Sequence, residues 1–499
     1  MNFLANVAIN RALLIFTSFI AIVYFISTAF FFTVGNIYLF ALLILCGMYH
    51  LFQVLGYIHG VWPRVVKRIF NPKFKPEVAI FITVCGEPTE IIEETLQAVL
   101  KMDYPSFNIY ILNDGFVAKR ENWREPELLA KKYQVTCITR EIAGGAKAGN
   151  INNAMRATTE PFIAVFDADH VPKSNFLNEM VGHFADQKVG FVQSPQYYKN
   201  HELNMVTSGS WEQQALFFGA IMKGKNGTNT VFMCGTNMMI RREAIDMVGG
   251  MNETNIAEDF LTSLLIHEQG WKSVYVDKVL AEGLAPEDFL SYYKQQFRWA
   301  RGSLEIVFKY NPFFRKGLTF AQRLQYLTSA SYYLSGVVVA INAILPLIYF
   351  FVGIEPLKIN TMTLTLVFLP YMFSVLYNIQ LTSNFSYTFR ALCFSLASFP
   401  IHLQAVYQIL TGKKTGFAVT SKTALTGNFA YLVTPHFVYI ALVILGVGVA
   451  FLREGLSSGL FTNLTWAAIY IAVFIPFINA ATEQTKNDEV SLDVAMPQS

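Results

Sequence analysis

The sequence lacks the features of several common protein classes. Its five cysteines are scattered without closely spaced pairs, so they predict neither a disulfide framework nor structural zinc. Its eight histidines form no HExxH-type metal-binding set. The formal net charge is only +3, which is too small an excess to indicate nucleic acid as a partner. We therefore expect no nucleic-acid binding.

Charged residues are also scarce, at 15% against 53% hydrophobic residues in a chain of 499. This balance is too apolar for an ordinary soluble enzyme and suits a medium-sized domain joined to several membrane spans. A bilayer takes about 20 helical residues to cross. Six apolar runs are long enough: 12–34, 37–58, 327–352, 364–381, 432–452 and 461–481. We expect the first two to form a hairpin anchor and not a cleaved signal peptide.

A further apolar run, 391–410, is interrupted by a proline and several polar residues. Lysine and arginine flank it on both sides, whereas the short connections between the other spans carry few charges. The positive-inside rule then puts both of its ends on the cytoplasmic face, so the run lies on the membrane instead of crossing it. We predict a multi-pass plasma-membrane protein with six spans, whose termini and large central region are cytoplasmic.

The central region between spans two and three has the pattern of a nucleotide-binding α/β fold. Nearly continuous apolar runs at 78–84, 107–112, 135–139 and 161–166 alternate with helical patterns such as 91–100. Such runs are typical of parallel strands that are buried on both faces and joined by crossover helices. We predict a Rossmann-like sheet, in which ligands bind beyond the carboxyl ends of the strands.

Polar residues follow three of these predicted strands. Glu87 follows the first, Asp114 the second, and Asp167 with Asp169 the fourth. Helix capping or an Asx turn explains any one of them, but together they indicate a site at one sheet edge. Asp167 and Asp169 are two residues apart, so in extended backbone their side chains point the same way. We predict that they hold Mg²⁺ or Mn²⁺, which binds carboxylates together with phosphates.

Two further motifs each allow a structural and a chemical interpretation. Asp259 opens a helical stretch, where it either favours the helix dipole or acts as a general base toward an acceptor hydroxyl. Arg298 and Trp299 lie in an amphipathic stretch before the membrane. They either lie at headgroup level or bind a diphosphate and a sugar ring. These residues alone leave both alternatives open.

The order and spacing of these motifs resemble the processive family 2 glycosyltransferases. The matching segments are NDG (113–115), AKAGNINNA (146–154), FDADHVP (166–172), CGTN (234–237), ED (258–259), QxxRWARG (295–302) and FAVTSK (417–422). FAVTSK resembles the gating loop of bacterial cellulose synthase catalytic subunits, which closes over the bound nucleotide. The resemblance implies a GT-A-type glycosyltransferase domain combined with an α-helical transmembrane channel.

The resemblance also implies a role for each matched position. It implies that the nucleotide-sugar contacts Thr83, Glu87, Asp114, Lys147, Asp167, Gln295 and Arg298. It implies a metal at Asp167 and Asp169, and a catalytic base at Asp259. It implies an acceptor site at Trp299, Cys234 and Gly235. It implies a gating loop at Phe417, Val419, Thr420 and Lys422.

For the whole chain, the resemblance implies a processive, inverting enzyme. Its donor is a UDP-sugar, with UDP-glucose first, and its acceptor is a growing β-glucan that crosses the membrane. Another β-linked polysaccharide, GlcNAc-containing or hyaluronan-like, and a non-processive lipid-linked transferase are the alternatives. A transporter would carry charges within its spans, and these spans carry almost none. An outer-face accessory subunit and further copies of the chain both stay open as partners.

The chain departs from the family pattern at three places. Gln296 stands where many relatives have arginine. Asn113 stands where the family usually has aspartate; it keeps an acceptor oxygen but loses the charge. A polar tail follows the last span, so we expect no cyclic-di-GMP-binding domain within the chain. We expect the domains to be an N-terminal hairpin (1–60), a cytoplasmic GT-A domain (61–315), two spans (316–383), an interfacial helix with the gating loop (384–430), two spans (431–482) and the tail (483–499).

Overall fold

The computed structural model describes residues 10–358, 361–413, 425 and 427–483. All structural statements below concern those residues. The predicted gating-loop residues Phe417, Val419, Thr420 and Lys422 lie outside them, as do residues 484–499 of the predicted tail.

Two long apolar helices begin the described chain. They are α1 (Arg11–Ile26) and α2 (Ile37–Val61), with the two-residue strand β1 (Thr33–Val34) between them. The Asn36 side chain caps α2 by accepting hydrogen bonds from the backbone N–H groups of Tyr38 and Leu39, which otherwise lack a partner in the first turn. The two helices coincide with the first two predicted apolar runs.

An α/β domain follows. Its strands are β2 (Val78–Val84), β3 (Phe107–Asn113), β4 (Thr136–Thr139), β5 (Phe162–Asp167), β6 (Val171–Pro172), β7 (Val189–Gln193), β8 (Met238–Arg241), β9 (Lys272–Tyr275) and β10 (Ala281–Glu282). Its helices are α3 (Thr89–Leu100), α4 (Glu125–Tyr133), α5 (Ala146–Ala157), α6 (Phe176–Val181), α7 (Met205–Leu216), α8 (Lys223–Asn226), α9 (Arg242–Asp246), α10 (Glu258–Glu268) and α11 (Phe289–Glu305).

Seven of the strands form one sheet in the order β4-β3-β2-β5-β8-β7-β9. The four adjacent strands β4, β3, β2 and β5 pair in parallel. Strand β8 runs antiparallel to both of its neighbours, β5 and β7. The predicted Rossmann-like α/β fold is therefore confirmed, and the four predicted apolar runs correspond to the adjacent parallel strands β2, β3, β4 and β5. Strand β8 was not predicted, because its four residues are too short a run to stand out from a buried loop.

Burial on both faces explains why β2 reads as a continuous apolar run. All seven of its residues are buried, and alternate side chains enter different cores because they point to opposite faces of the sheet. Ala79 and Phe81 join one core, and Ile80 and Ile82 join the other. Burying large apolar side chains on both faces stabilises each by about 1.5–3 kcal/mol, which fixes the sheet that carries the site.

The remaining helices follow the α/β domain. They are α12 (Phe320–Ser331), α13 (Ser335–Val352), α14 (Thr361–Thr382), α15 (Phe389–Ala397), α16 (Phe399–Leu410), α17 (Thr434–Glu454) and α18 (Ser458–Thr482), with the two-residue strand β11 (Leu357–Lys358) pairing with β1. In the described chain, seven segments are long and apolar enough to cross a membrane: Arg11–Phe31, Ile37–Val61, Phe320–Val352, Thr365–Thr382, Phe389–Leu410, Ala430–Glu454 and Ser458–Thr482. The chain is an integral membrane protein.

The run predicted to lie on the membrane consists of two helices. By length and composition, Phe389–Leu410 also qualifies as a span, but α15 and α16 meet at Ser398 and do not form one continuous helix. Helix α15 packs against α7 of the α/β domain, and α16 packs against α11. The surface location of this run, and with it the count of six spans, stays a prediction.

Candidate active site

The carboxyl ends of β2, β3 and β5 bring the first predicted residues together. In the parallel register Thr83 lies opposite Asp167, and Val84 lies opposite Asn113. The Thr83 hydroxyl donates a hydrogen bond to Asp167 Oδ1 at 3.1 Å. The structure therefore brings these polar residues together at one edge of the sheet, as expected.

Asp114 forms a buried ion pair at this edge. Its two carboxylate oxygens accept hydrogen bonds from Nε and Nη2 of Arg140, both at 2.7 Å. Arg140 also donates to the backbone carbonyls of Gly144 and Ala146. Burial raises the pKa of Asp114, and the Arg140 guanidinium partly opposes that shift. The guanidinium thus holds Asp114 charged and ties β3 to the start of α5.

The turns after β2 and β3 are shaped by their own side chains. Glu87 folds back so that its carboxylate accepts the backbone N–H of Cys85 at 2.5 Å. Asn113 is fully buried; its Oδ1 accepts the backbone N–H of Gly115 at 2.9 Å, and its Nδ2 donates to the Trp123 carbonyl at 2.7 Å. The side-chain amide of Asn113, which stands where the family usually has aspartate, therefore forms hydrogen bonds within the turn.

Lys147 joins two of the predicted motifs. It lies in the first turn of α5, contacts the carboxylate of Asp167, and donates to the Gly235 carbonyl at 2.8 Å. The backbone N–H of Asp167 is in turn bonded to the Thr236 hydroxyl at 3.0 Å. A cation therefore lies between the DxD motif and the CGTN loop in this structure.

A group suited to a divalent cation lies beside Lys147. One ligand atom each from Asp167, Asp169 and His170 lie within 4.8 Å of one another. Asp169 is buried, and its Oδ2 accepts the backbone N–H of Leu284 at 3.2 Å. Nε2 of His170 is buried and lacks a hydrogen-bond partner among the described atoms. Two carboxylates and an imidazole form a donor set that fits Mg²⁺ or Mn²⁺.

The CGTN loop is held by a buried glutamine. Gln193 Nε2 donates to the carbonyls of Ser194 and Thr236, at 2.7 and 2.8 Å, and its Oε1 accepts the Cys234 N–H at 2.8 Å. Gly235 has a φ of +80°, and a Cβ there would lie 3.3 Å from a carboxylate oxygen of Asp259. The backbone conformation favours glycine, and a side chain at this position would also crowd the Asp259 carboxylate.

Asp259 lies in the first turn of α10, where its Oδ1 accepts the backbone N–H of Phe260 at 2.7 Å. Burial and the neighbouring Glu258 carboxylate raise the pKa of Asp259 to about 7. Burial and the Asp259 charge also raise the pKa of the Cys234 thiol, which keeps it protonated. Asp259 therefore has the properties of a base at neutral pH, and Cys234 has none of those of a nucleophile.

Helix α11 carries the last predicted residues. Asp288 caps it by accepting the Ser291 backbone N–H at 2.8 Å. Gln295, Arg298 and Trp299 are spaced so that they share one face. Gln295 and Trp299 line the same cavity as Asp259. Burial lowers the pKa of Arg298, while the carboxylates of Glu258, Asp167 and Asp259 oppose that shift, so the guanidinium faces the acidic groups of the site.

The cavity beside Asp259 has a volume of about 440 Å³ and extends between the helices. At one end it is lined by Asp259 and Trp299; farther along it is lined by Tyr57 of α2 and Asn378 of α14. Besides Asp259 and the buried Lys225, its described lining carries no Asp, Glu, Lys or Arg. Most of the lining surface is apolar, and polar side chains are spread along it: Thr17, Gln53, Tyr57, Gln196, Ser210, Gln213, Gln214, Gln295, Gln296, Ser303, Gln325, Thr328, Ser329, Tyr332, Tyr333, Asn378, Tyr387, Ser395, Ser398 and His402.

Sequence reasoning missed three residues that shape the site. Arg140 follows β4 at the same sheet edge, so the rule applied to the other strands would have found it. His170 lies inside the FDADHVP segment, directly after the predicted metal ligands. Gln193 could not be identified from the sequence, because nothing near it in the chain marks it as a binding residue. Its role depends on hydrogen bonds to the CGTN loop, which is distant in sequence.

Comparisons with known proteins bear on the whole arrangement. A solved mannosyltransferase from Pyrobaculum calidifontis, in complex with GDP-Man and Mn²⁺, is 16% identical with a TM-score of 0.43, covering 89% of this chain and 98% of its own. Residues 76–302 match the family described as glycosyltransferase-like family 2. Residues 246–478 match the family described as cellulose synthase.

Curated relatives include cellulose synthase catalytic subunits (UDP-forming). That of Pseudomonas fluorescens (strain SBW25) is 29% identical over 450 residues, covering 86% of this chain and 60% of the relative. That of Xanthomonas axonopodis pv. citri (strain 306) is 33% identical over 294 residues, covering 57% and 40%. The chain thus spans less than two thirds of the length of either relative. On these matches, residues 76–478 are similar to the family 2 glycosyltransferases of the cellulose-synthase type.

Proposed function

We propose that this chain is a membrane-integrated, processive glycosyltransferase. It polymerises a UDP-sugar, with UDP-glucose first, into a β-glucan and moves the product across the membrane. The observation that carries the proposal is the 440 Å³ cavity, which joins Asp259 and Trp299 to Thr17, Tyr57 and Asn378 of three apolar helices. A non-processive enzyme that used its helices only as an anchor would gain nothing from a continuous cavity between them.

The proposed chemistry is a single inverting displacement. The acceptor hydroxyl oxygen attacks the anomeric carbon of the donor sugar, and the new C–O bond forms as the bond to the UDP diphosphate breaks. The hydroxyl proton passes to the carboxylate of Asp259, whose pKa of about 7 suits a general base near neutral pH. Because the attack comes from the side opposite the leaving group, a UDP-α-sugar yields a β-linkage.

Positively charged and polar groups on two helices would receive the leaving diphosphate. We assign this role to Lys147 of α5 and to Gln295 and Arg298 of α11. Gln295 Oε1 is buried without a hydrogen-bond partner among the described atoms, and a buried polar atom of this kind is costly until a ligand or water satisfies it. Trp299 offers a flat apolar face to the acceptor sugar.

A divalent cation would be held by Asp167, Asp169 and His170, whose ligand atoms cluster within 4.8 Å. Such an ion neutralises negative charge on a departing diphosphate. Lys147 contacts Asp167, and we expect its ammonium to turn toward the phosphates when donor and metal bind. We assign Thr83, Glu87 and Asp114 to the nucleoside.

The lining of the cavity suits a neutral sugar polymer. Hydroxyl and amide groups exchange hydrogen bonds with sugar hydroxyls as the chain moves, while fixed charges would bind it too tightly to pass. Aromatic rings such as Tyr332 and Tyr333 add flat surfaces for sugar rings. Packing of α15 on α7 and of α16 on α11 supports the proposal that the two helices lie at the domain boundary.

The direct test uses purified full-length protein with UDP-glucose, UDP-GlcNAc and UDP-glucuronate in separate reactions. The proposal expects polymer from UDP-glucose, degraded by a β-glucan-specific hydrolase. Chain length at low donor conversion separates the mechanisms, because a processive enzyme makes few long chains and a non-processive one makes many short products. Polymer from another donor would overturn the glucose assignment, and single-sugar transfer to lipid would overturn processivity.

Translocation is tested separately in sealed vesicles that contain the protein. Donor is added outside, and a glucan hydrolase is then added outside as well. Polymer from molecules whose α/β domain faces outward should resist the hydrolase until detergent opens the vesicles. Complete digestion without detergent would show that the polymer stays on the side where it is made.

A further inference from the structure

A second cavity, with a volume of about 420 Å³, lies away from the candidate active site, where the chain leaves α2. It is enclosed by the linker after α2, the turn after α8, the start of β9 and the first turn of α12. Its charged members are Arg64, Lys67, Arg68, Asp186 and Lys272. We call it the juxtamembrane basic pocket.

The pocket is built into the fold by Arg68. Its Nη1 donates to the Ser273 carbonyl at 2.7 Å, and its Nη2 donates to Asn226 Oδ1 at 2.6 Å. Its Nε is buried without a partner among the described atoms. Arg64 is held at the rim, where its Nη1 donates to the His59 carbonyl at 2.8 Å. The linker is therefore fixed against β9 and the turn after α8.

The positive charge of the pocket is not balanced by the described protein. Lys272 pairs with Asp186 at 2.9 Å. The other three cations, Arg64, Lys67 and Arg68, have no carboxylate within ion-pair distance in the described part of the chain, and Lys67 is exposed. Cations gathered in one concave site repel each other, and an anion that enters removes this repulsion. Guanidinium groups match the several oxygens of a phosphate.

The pocket lies where phospholipid headgroups would be. His59 in the last turn of α2 and Ala321 in the first turn of α12 both line it, and these helices belong to two candidate spans. In the linker, apolar side chains alternate with the cations: Val65 is 96% and Ile69 57% exposed. Exposed apolar groups beside cations are typical of a segment that enters the interfacial layer of an anionic membrane.

We propose that the juxtamembrane basic pocket binds the phosphate of an anionic phospholipid headgroup, with Arg64, Lys67 and Lys272 contacting its oxygens. Arg68 holds the pocket in shape and directs its Nε inward. The bound lipid would fix the linker, and through it the orientation of the α/β domain relative to α2. The proposal is independent of the reaction catalysed at Asp259.

The experiment measures lipid retained by the full-length protein. Protein is extracted from membranes of phosphatidylglycerol and phosphatidylcholine in equal parts, and the bound lipids are counted by native mass spectrometry. We expect wild-type protein to retain phosphatidylglycerol preferentially. Lys67→Gln should weaken retention about fivefold, as expected for one cation at a lipid surface, and Arg64→Gln/Lys67→Gln should weaken it further.

Lys316→Gln is the matched control, because Lys316 is exposed, precedes α12 on the same membrane flank and does not line the pocket. The proposal is supported if Lys67→Gln lowers the retention of phosphatidylglycerol and Lys316→Gln leaves it unchanged. Equal losses in both variants would show diffuse surface attraction and overturn the proposal, as would full retention in Lys67→Gln. Lys67 makes no hydrogen bond in the described structure, so its substitution leaves the fold intact.

Titration of lipid-free protein in neutral detergent with inorganic phosphate distinguishes the source of the phosphate. Weak or undetectable binding that is insensitive to Lys67→Gln supports the lipid headgroup. Binding of inorganic phosphate as tight as that of phosphatidylglycerol, and lost in Lys67→Gln, would show that the pocket serves a soluble phosphate compound and would overturn the lipid assignment.

Discussion

Arg140 and Asp114 form a buried bidentate ion pair at the edge of the sheet, with both hydrogen bonds at 2.7 Å. Neither side chain is more than 9% exposed, so the pair is screened little by water. The two residues directly follow the neighbouring parallel strands β3 and β4. The ion pair therefore links Asp114, the proposed nucleoside contact, to the end of β4 and the start of α5.

Arg140→Met should destabilise the α/β domain and weaken nucleotide binding. It leaves the Asp114 carboxylate buried without its partner, a change that costs about 3–5 kcal/mol. We expect the full-length protein in detergent to have a lower Tm, and calorimetry to show weaker binding of UDP. Arg156→Met, at an exposed position of α5, is the control; equal Tm values for the two variants would contradict the prediction.

Asp259→Asn should abolish polymer synthesis while UDP still binds. The amide keeps the shape of the side chain but cannot accept the acceptor proton, and loss of a general base lowers a rate by about 10²–10⁴-fold. Radiolabelled polymer and calorimetric UDP binding measure the two effects separately. Asp246→Asn, on the exposed side of α9, should leave both unchanged. Near-normal turnover in Asp259→Asn would remove the base from the mechanism.

The rate should fall as the pH drops through about 7, because the raised pKa of Asp259 means that its carboxylate becomes protonated there. A protonated carboxyl cannot accept the hydroxyl proton. Glu258→Gln removes the negative charge that helps to raise this pKa, so the acid limb of kcat/KM should move to lower pH. Glu243→Gln, exposed on α9, is the control. An acid limb that stays in place in Glu258→Gln would contradict the coupling.

His170→Gln should weaken Mn²⁺ binding at least about tenfold, by analogy with the loss of groups that support a metal site. The imidazole is expected to be a ligand beside Asp167 and Asp169. Free Mn²⁺ is measured by electron paramagnetic resonance in a titration with UDP present, which does not depend on turnover. His201→Gln serves as the control. In the same preparation a chelator should stop polymer synthesis, and Mg²⁺ or Mn²⁺ should restore it.

Arg390→Met should loosen the contact between α15 and the α/β domain. Arg390 Nη2 lies 2.6 Å from Glu212 Oε1, and the Glu212 side chain is only 7% exposed. A buried carboxylate left without its partner costs about 1–3 kcal/mol, which a lower Tm would report. The double variant Arg390→Met/Glu212→Gln should recover part of the loss. If it recovers none, the ion pair does not hold the helix.

Part of the α/β domain was predictable because β2 and β5 are buried on both faces. The runs before Glu87, Asp114 and Asp167 are continuous apolar segments, and their polar ends mark the site edge. Strand β8 was not predictable, since its four residues gain their identity only by pairing with β5 and β7. Those pairings join parts of the chain that are far apart in sequence.

Within the site, local spacing identified residues but not their contacts. Asp167 and Asp169 stand out in a short motif, yet the contact of Asp167 with Lys147 depends on where α5 begins relative to β5. Gln193 gives no signal until the CGTN loop folds over it.

By itself, the sequence determined the long apolar helices, the parallel strands and the residue types of the candidate site, because hydrophobic length, burial pattern and motif spacing are local properties. Only the tertiary structure decided that Arg140 pairs with Asp114 and that Glu258 and burial raise the pKa of Asp259. It also decided that a cavity leads from Asp259 between the helices. Such features depend on distances of a few ångströms between distant segments, which packing alone sets.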